Sequence, residues 1–326
     1  MELTTFFDFC SGIGGGRLGL EKAGLRCIGY SDTSRLSVKT YNLMFDSLKE
    51  KNYGNLKKID PSSLPNYDLL IAGFPCQSFS VIGRREGFSD LRGQIIYYLA
   101  KILQKSKPKC FILENVRGLV SHDKGKTLKT ILSLLEGAGY DVTFKVLNSI
   151  DYGVPQMRQR VYFVGFEKKM GLDLGLFDFP SPVVKPPLSN YLTDFEEATE
   201  EQLWYFMNYL SNKTNLSKYS MNDILSMDGK VIDTRMSDLR IYEDKVPTLR
   251  SQRDGIFYVK NNKLYSLTGN EALLLQGFPI EYANRVKDIV SNRHLLCQAG
   301  NAMTVNVIEA LAKSIKYFVC ENHDGL

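Results

Sequence analysis

The sequence predicts an α/β protein: a doubly wound sheet with a second, smaller and more irregular domain. Strand-like and helix-like stretches alternate over the first 166 residues, which is the pattern of a sheet with helices on both faces. A glycine cluster, SGIGGGRLG at 11–19, follows the first strand-like stretch. Four prolines between 178 and 190 accompany the end of the alternation, and such clusters are typical of domain boundaries.

Each strand candidate is a short stretch rich in β-branched, aromatic or other apolar residues. In chain order the candidates are 4–9, 26–31, 67–73, 109–115, 141–147 and 160–166. The stretch 67–73 is an apolar run that ends at glycine, as a strand buried on both faces does. We expect the last two candidates to form a closing pair.

Helix candidates lie between these strands and also beyond the proline-rich boundary. They are 17–23, 35–45, 92–105, 126–138, 270–276 and 303–319. We expect the last of them to return to the sheet. From the proline cluster to about residue 270 the chain is more polar and irregular, with a strand candidate at 255–259 and scattered arginines. This stretch predicts the second domain.

The composition is that of a globular protein, with 326 residues, 44% hydrophobic and 24% charged. No stretch approaches the roughly eighteen apolar residues of a membrane span, and the first residues lack the pattern of a signal peptide, so we expect a cytoplasmic protein. The net charge of +5 weakly favours a polyanionic partner. The six cysteines form no CxxC pair and the three histidines stand far apart, so we expect neither a metal site nor a Ser-His-Asp hydrolase.

The glycine cluster predicts a site for a nucleotide-like ligand. Gly14-x-Gly16-x-x-Gly19 fits the dinucleotide pattern, and Asp32 ends the second strand near the spacing of a ribose-binding acid. Two alternatives stay open at this point, because such a turn also occurs without a ligand and Asp32 could instead cap the following loop.

Three further motifs stand at ends of predicted strands, where this architecture places its chemistry. Cys76 follows Gly-Phe-Pro in GFPCQSFS at 73–80, which suits a thiolate nucleophile. Glu114 follows an apolar strand, where a carboxylate is paired or protonated and can deliver a proton. Arg158 and Arg160 alternate in QMRQR, so we expect one shared face that suits a carboxylate or phosphate. The alternatives are a structural role for Cys76, a structural ion pair for Glu114 and a solvent-exposed strand edge for the two arginines.

Taken together and in order, these motifs resemble those of the bacterial DNA (cytosine-5)-methyltransferases. The matching stretches are DFCSGIGGGRLGL at 8–20, GFPCQSFS at 73–80, DLRG at 90–93, ENV at 114–116, QMRQR at 156–160, VPTL at 246–249, LLLQGFP at 273–279 and GNAMTVNV at 300–307. The resemblance covers nearly the whole chain except roughly 167–240, where the family carries its variable target-recognition region.

The resemblance implies a Rossmann-like methyltransferase that moves a methyl group from S-adenosyl-L-methionine to C5 of a cytosine flipped out of a specific duplex DNA sequence, leaving S-adenosyl-L-homocysteine. Cys76 matches the nucleophile that adds to cytosine C6. Glu114 matches the residue that binds N3 and the exocyclic amine. Arg160 matches an arginine at O2, and Arg158 one close to the cysteine loop and the DNA backbone.

The resemblance also implies a division of labour along the chain. Residues 1–180 with 300–326 would form the catalytic domain, 181–275 the target-recognition domain and 276–299 a hinge. The implied cofactor-binding positions are Cys10, Gly12, Ile13, Gly15, Asp32, Thr33, Asn55, Leu56, Pro75, Ile95, Asn301 and Met303. The candidate DNA contacts are Gln77, Ser80, Arg84, Arg85, Arg235, Arg240, Arg250 and Arg253.

Some cofactor positions depart from the family pattern. The family usually has Phe at the place of Cys10, an acid followed by a bulky residue at the place of Thr33-Ser34, and Asp at the place of Asn55. Two aromatic contacts to adenine are therefore missing. If each is worth about 0.5–1.5 kcal/mol, adenine binding is weaker by roughly 1–3 kcal/mol.

The departures keep other functions open. An RNA cytosine-5 methyltransferase shares the fold, but the Cys-Phe-Thr element of the tRNA enzymes does not occur here. A DNA-binding paralogue with weak or lapsed activity would explain the altered pocket. A nicotinamide dehydrogenase would leave Cys76, Glu114 and the arginine pair unexplained. The resemblance favours a monomer that works on double-stranded DNA in the nucleoid, protecting host DNA, with a restriction endonuclease as a functional rather than a physical partner.

Overall fold

The computed structural model describes residues 2–46, 50–75, 95–251 and 255–323. The chain forms two compact units. Unit 1 comprises Met1–Asn148, Gln159–Pro182 and Met303–Leu326, and unit 2 comprises Ser149–Arg158 and Val183–Ala302. The catalytic, recognition and hinge roles assigned to 1–180 with 300–326, to 181–275 and to 276–299 stay predictions.

Unit 1 contains the predicted α/β sheet. Its strands are β1 (Thr5–Phe9), β2 (Arg26–Ser31), β3 (Leu69–Gly73), β4 (Cys110–Val116), β5 (Tyr140–Asn148) and β6 (Gln159–Glu167). They lie in the order β2-β1-β3-β4-β6-β5. The first four are parallel to one another, whereas β6 runs antiparallel to both β4 and β5. The closing pair predicted from the sequence is confirmed.

Helices cover both faces of this sheet, as a doubly wound fold requires. They are α1 (Gly15–Lys22), α2 (Arg35–Phe45), α3 (Ile95–Ser106), α4 (Lys126–Gly137) and, from the far end of the chain, α10 (Val305–His323). On one face, Leu70 and Phe111 join an apolar cluster with α3 and α4. On the other face, Gly16 of α1 lies against Ile71. Apolar residues alternate in direction along each strand, which explains how both faces are filled.

Helix α1 packs closely on α10. A Cβ atom at Gly19 would lie 2.6 Å from Cβ of Ile308 and 2.7 Å from the carbonyl oxygen of Val305. Real Cβ atoms do not approach that closely, so glycine at 19 sets the separation of the two helices. In the described part of the chain, no helix has the length and apolar character needed to cross a membrane.

Unit 2 is built around a four-stranded antiparallel sheet. Its strands are β7 (Lys230–Asp233), β8 (Arg240–Glu243), β9 (Ile256–Lys260) and β10 (Lys263–Ser266), in the order β10-β9-β7-β8. The helices of this unit are α5 (Glu200–Leu210), α6 (Met221–Leu225), α7 (Gly269–Leu275), α8 (Ile280–Asn284) and α9 (Asn292–Asn301). Phe206 and Ile224 pack into one apolar cluster with Ile232 and Phe257 of the sheet.

Helix α7 begins with a reciprocal cap. The side chain of Thr268 accepts a hydrogen bond from the backbone N–H of Glu271, and the Glu271 carboxylate accepts one from the backbone N–H of Thr268. Tyr258 also donates its hydroxyl to Glu271 at 3.0 Å. Glu271 is fully buried, and this burial raises the pKa of its carboxyl from 4.5 to about 7.

Candidate active site

Six of the predicted site residues lie outside the described part of the chain. They are the nucleophile candidate and five candidate DNA contacts: Cys76, Gln77, Ser80, Arg84, Arg85 and Arg253. The geometry of the site is given by the residues that flank them.

The glycine cluster forms the turn between β1 and α1. Cys10, Gly12 and Gly14 adopt left-handed φ angles of 52°, 57° and 86°, a conformation that glycine adopts most readily. A Cβ atom at Gly15 would lie only 2.2 Å from the carbonyl oxygen of Met303, whereas a Cβ atom at Gly12 would have no described residue within 4 Å. The turn therefore contacts the segment before α10 on one side and leaves room on another.

Asp32 directly follows β2 and is bound to the glycine turn. Its Oδ2 accepts a hydrogen bond from the backbone N–H of Gly12 at 2.9 Å, and its Oδ1 accepts one from the backbone N–H of Ser34 at 2.7 Å. Burial raises the pKa of the Asp32 carboxyl. The loop cap that the sequence left open is therefore present, and the ribose contact of Asp32 stays a prediction.

The other cofactor candidates differ in their surroundings. Thr33 is exposed. Asn55 accepts a hydrogen bond from the backbone N–H of Lys57 and begins a short 3-10 turn. Leu56 lies in the apolar cluster of unit 1, and Ile95 packs against that cluster. Of the remaining positions, Ile13 and Met303 are buried, whereas Pro75 and Asn301 are exposed.

Two titratable groups lie in or next to the glycine turn. Burial raises the pKa of the Cys10 thiol to about 12, so this thiol stays protonated at neutral pH and is a poor nucleophile. Burial also raises the pKa of the Asp8 carboxyl, against the opposing charge of Arg17. Asp8 is fully buried and the sequence reasoning missed it, although an acid inside the aromatic strand TFFDF is a visible signal.

Glu114 and Arg160 form an ion pair at the end of β4. Because β6 runs antiparallel to β4, its first residues lie beside the last residues of β4, with Arg160 opposite Val116. Arg160 Nε lies 3.0 Å from Glu114 Oε1, and the two side chains are only 13% and 11% exposed. Gly73 is the β3 neighbour of Glu114. A carboxylate and a guanidinium group therefore meet beside the strand that leads into Cys76.

Asn115 fastens the end of β3 to β4. Its Nδ2 donates a hydrogen bond to the carbonyl oxygen of Phe74 at 2.9 Å, and its Oδ1 accepts one from the backbone N–H of Val116 at 2.8 Å. The backbone N–H of Phe74 donates to the carbonyl oxygen of Glu114. Phe74 precedes Cys76 by two residues in the sequence, so Asn115 fixes the backbone just before the nucleophile candidate. From the sequence, Asn115 was identified only as part of the ENV motif, and no role was predicted for it.

Arg158 has a different environment from Arg160. It is 3% exposed and belongs to unit 2. Its guanidinium group donates hydrogen bonds to the carbonyl oxygens of Leu249, Gly300 and Ala302 at 3.1, 3.2 and 2.9 Å. Arg160 pairs with the Glu114 carboxylate and donates to the carbonyl oxygen of Gln159 at 2.9 Å, so the two arginines have different partners.

The three described arginines among the candidate DNA contacts also differ. Arg235 is buried in an ion pair with Asp233, with Nε 2.6 Å from Oδ1, and it donates to the carbonyl oxygen of Thr248. A DNA contact by Arg235 would have to break this ion pair. Arg240 on β8 and Arg250 are exposed, and both stay proposed contacts.

Comparison with known proteins identifies the family of this chain. Residues 4–317 match the family model described as C-5 cytosine-specific DNA methylase. The chain is similar to the Type II methyltransferase M.DsaV of Dactylococcopsis salina, at 34% identity over 96% of this chain and 86% of that protein. It is also similar to the Type II methyltransferase M.NgoBI of Neisseria gonorrhoeae, at 36% identity over 94% of this chain and 91% of that protein.

Solved structures agree with this at the level of the fold. The methyltransferase EhMeth of Entamoeba histolytica superimposes with a TM-score of 0.70 at 20% identity, over 98% of this chain and 99% of that one. The family match extends over nearly all of the sequence, from the glycine turn through Glu114 and Arg160 into α10. The chain belongs to the C-5 cytosine-specific DNA methylase family.

Proposed function

We propose that this protein methylates C5 of a cytosine flipped out of duplex DNA, within a specific sequence, by way of a covalent bond between Cys76 and cytosine C6. Its family makes the chain a DNA cytosine-5 methyltransferase. The finer steps rest on the site residues.

The ion pair of Glu114 and Arg160 is the observation that carries this proposal. Its carboxylate and guanidinium are nearly buried, 3.0 Å apart, beside the strand leading to Cys76. Cytosine presents a ring nitrogen, an exocyclic amine and a carbonyl oxygen along one edge. A carboxyl group suits both nitrogen groups, because one oxygen accepts from the exocyclic amine while an O–H on the other donates to the ring nitrogen, and a guanidinium donates to the carbonyl oxygen. Such an edge is accessible only when the base leaves the stacked duplex.

The chemistry requires a nucleophile because cytosine C5 is itself a poor one. The Cys76 thiolate forms an S–C6 bond, and the electron pair of the C5–C6 double bond becomes available at C5. The added electron pair makes the ring negative, and the Glu114 carboxyl group donates a proton to N3 while it accepts a hydrogen bond from the exocyclic amine. The cofactor would supply the methyl group that C5 receives, and the sulfonium–methyl bond that breaks would leave S-adenosyl-L-homocysteine. Transfer of the C5 proton to water and cleavage of the S–C6 bond then restore the C5–C6 double bond and release Cys76 as a thiolate.

The residues around the glycine turn fit S-adenosyl-L-methionine. The open space beside Gly12 and the Asp32 carboxylate bound to the same turn suit a ribose and its neighbouring groups. When bound, this cofactor supplies the methyl group. Gly12, Gly15 and Asp32 would hold it, with Asn301 and Met303 as further proposed contacts. Its affinity is expected to be below that of family members with Phe at the place of Cys10.

Unit 2 is proposed to read the DNA sequence. Arg240 and Arg250 are exposed on this unit, and arginine is the side chain most often used to read guanine. Exchange of residues 181–275 with those of a relative of different specificity should move the methylated sequence with the segment. An active chimera that keeps the original sequence would place specificity elsewhere.

The biological role proposed is protection of host DNA in a restriction-modification system, because the relatives named above are Type II methyltransferases. The protein would act as a monomer on double-stranded DNA in the bacterial cytoplasm. A restriction endonuclease of the same specificity would be its functional partner.

Bisulfite or nanopore sequencing of DNA from bacteria that express the protein tests the main proposal. We expect 5-methylcytosine at one recurring sequence. Duplexes containing 5-fluorocytosine should form a covalent adduct with the wild type and not with Cys76→Ser, while Cys297→Ser is a control for loss of a thiol elsewhere. Methylation of tRNA without DNA, or an adduct that survives Cys76→Ser, would overturn the proposal.

A further inference from the structure

The backbone of Leu249 is held on both sides by side chains of the QMRQR motif. Gln156 Oε1 accepts a hydrogen bond from the Leu249 N–H at 3.2 Å, and Arg158 Nη1 donates one to the Leu249 carbonyl oxygen at 3.1 Å. Gln156 is fully buried and also donates to the carbonyl oxygen of Leu275 at 2.9 Å. Both polar backbone groups of Leu249 are therefore fixed by one short motif of the same unit.

The residue before Leu249 is fixed as well. The Thr248 hydroxyl donates a hydrogen bond to the carbonyl oxygen of Met157 at 2.6 Å. Arg235 donates to the carbonyl oxygen of Thr248 at 2.8 Å, and Arg235 is itself held by Asp233. Two consecutive residues are thus bound by side chains or backbone from separate parts of unit 2, which leaves little freedom for the residue that follows.

Helix α9 closes the third side. A Cβ atom at Gly300 would lie 2.4 Å from both the carbonyl carbon of Arg250 and the backbone nitrogen of Ser251. The peptide between Arg250 and Ser251 therefore touches the helix backbone. Arg158 also binds the carbonyl oxygen of Gly300 at 3.2 Å, so the same guanidinium group ties the helix end to the segment that crosses it.

The segment held in this way presents an exposed arginine. Arg250 follows Leu249 directly, and its side chain is exposed while its peptide is wedged against Gly300. A base-reading arginine discriminates through hydrogen-bond geometry, so a shift of its backbone changes which base it accepts. An arginine that only binds phosphate needs no such precision.

We infer that Gln156 and Arg158 are positioning residues for sequence recognition: they fix segment 248–251 so that Arg250 reads a base. This inference rests on the function proposed above. The family resemblance placed Arg158 close to the cysteine loop and the DNA backbone, and the inference gives it a role through Leu249 and Gly300 instead. In the QMRQR motif, Gln156 and Arg158 would then act in sequence recognition, and Arg160 would contact the target base.

The test compares sequence discrimination with chemistry in three variants. Arg158→Lys retains the charge but not the planar group that reaches three carbonyls. Gln156→Met removes both polar contacts at similar size. Gly300→Ala adds one methyl group against the 250–251 peptide and changes no polar group. Tyr140→Phe is the control, because it removes a buried hydroxyl that donates to the carbonyl of Pro108 in unit 1.

Methylation rates are measured on the recognition duplex, found by sequencing, and on duplexes with single-base changes. For all three variants we expect the ratio of kcat/KM between these duplexes to fall by about tenfold or more, since a good base contact discriminates by about 1–3 kcal/mol. KM for the recognition duplex should rise by a larger factor than the single-turnover rate at saturation falls. Tyr140→Phe should lower Tm without changing the ratio.

Unchanged discrimination with a collapsed single-turnover rate in Arg158→Lys would return Arg158 to the chemistry and overturn the inference. If Arg158→Lys and Gln156→Met do not fold, Gly300→Ala decides alone: full discrimination in that variant overturns the inference. A wild type that methylates no DNA would instead overturn the proposed function, so the two failures are distinguishable.

Discussion

Gly19→Ala should destabilise unit 1, whereas the same change at Gly137 should not. A Cβ atom at Gly19 meets Cβ of Ile308 at 2.6 Å and the Val305 carbonyl oxygen at 2.7 Å. Contacting carbon atoms normally lie about 3.5–4.0 Å apart, so α1 and α10 would have to separate by about 1 Å. Neither obstacle is the flexible end of a side chain, and the cost should approach the upper part of the usual ~1–3 kcal/mol for overpacking.

Helix propensity acts in the opposite direction. Alanine is favoured over glycine inside a helix by up to about 1 kcal/mol, so the net loss at Gly19 is about 1–2 kcal/mol. For a unit of this size that corresponds to a fall in Tm of about 2–8 °C. Gly137 ends α4, and an added Cβ atom there has no neighbour within 4 Å in the described part of the chain. Gly137→Ala should therefore gain a few tenths to about 1 kcal/mol.

Thermal unfolding followed by circular dichroism measures both variants under the same conditions. The change in the free energy of unfolding should have opposite signs in the two variants. A protein that is simply intolerant of mutation would be destabilised by both. A Gly19→Ala protein at least as stable as the wild type would refute the close packing of α1 on α10. A second readout is cofactor affinity by calorimetry, which should weaken in Gly19→Ala because α1 starts at the glycine turn.

Three further predictions concern single side chains. Asn115→Ala removes the donor to the Phe74 carbonyl, and single-turnover methyl transfer should fall by about tenfold to a hundredfold; an unchanged rate in rapid-quench measurements would contradict this positioning. Glu271 holds its proton more tightly in the folded protein, with a pKa raised from 4.5 to about 7, so its stabilising contribution is present below about pH 4.5 and is lost as the pH rises through about 7. The Tm of unit 2 should therefore fall between pH 5 and 8 in the wild type, and this fall should be absent in Glu271→Gln. A wild-type Tm with the same pH dependence as that of Glu271→Gln would contradict the argument from burial. Cys10→Phe should tighten S-adenosyl-L-methionine binding by up to about tenfold in calorimetry, whereas weaker binding would show that the site has no room for the ring.

Local patterns in the sequence were sufficient for the sheet of unit 1. Strand β2 was predicted at 26–31 and occupies those residues, and β3 begins two residues later than predicted. Buried parallel strands form continuous apolar runs, so each is visible without its neighbours. Strands β7 and β8 in unit 2 were not predicted. They have four residues each, with charged residues at their ends, and their pairing partners rather than their composition make them strands.

The site shows the same division between local and distant information. Glu114 was predicted to be paired or protonated because it ends an apolar strand, and it is paired with Arg160. The environment of Arg158 was not predictable from QMRQR, because its partner carbonyls lie 91, 142 and 144 residues away. Arg235 looked like other scattered arginines, and only the fold shows that Asp233 holds it in the interior.

The packing of α1 on α10 has a consequence for synthesis of the chain. Helix α10 begins about 280 residues after α1 ends, which is about 15–60 s of translation at the usual rate. During that interval the side of α1 around Gly19 lacks its α10 partner and is accessible to chaperones or to aggregation. Unit 2 is encoded between the two helices and leaves the ribosome before α10. The unit encoded in the middle of the chain can therefore finish folding before the one that contains the first residues, and the glycine turn is completed last.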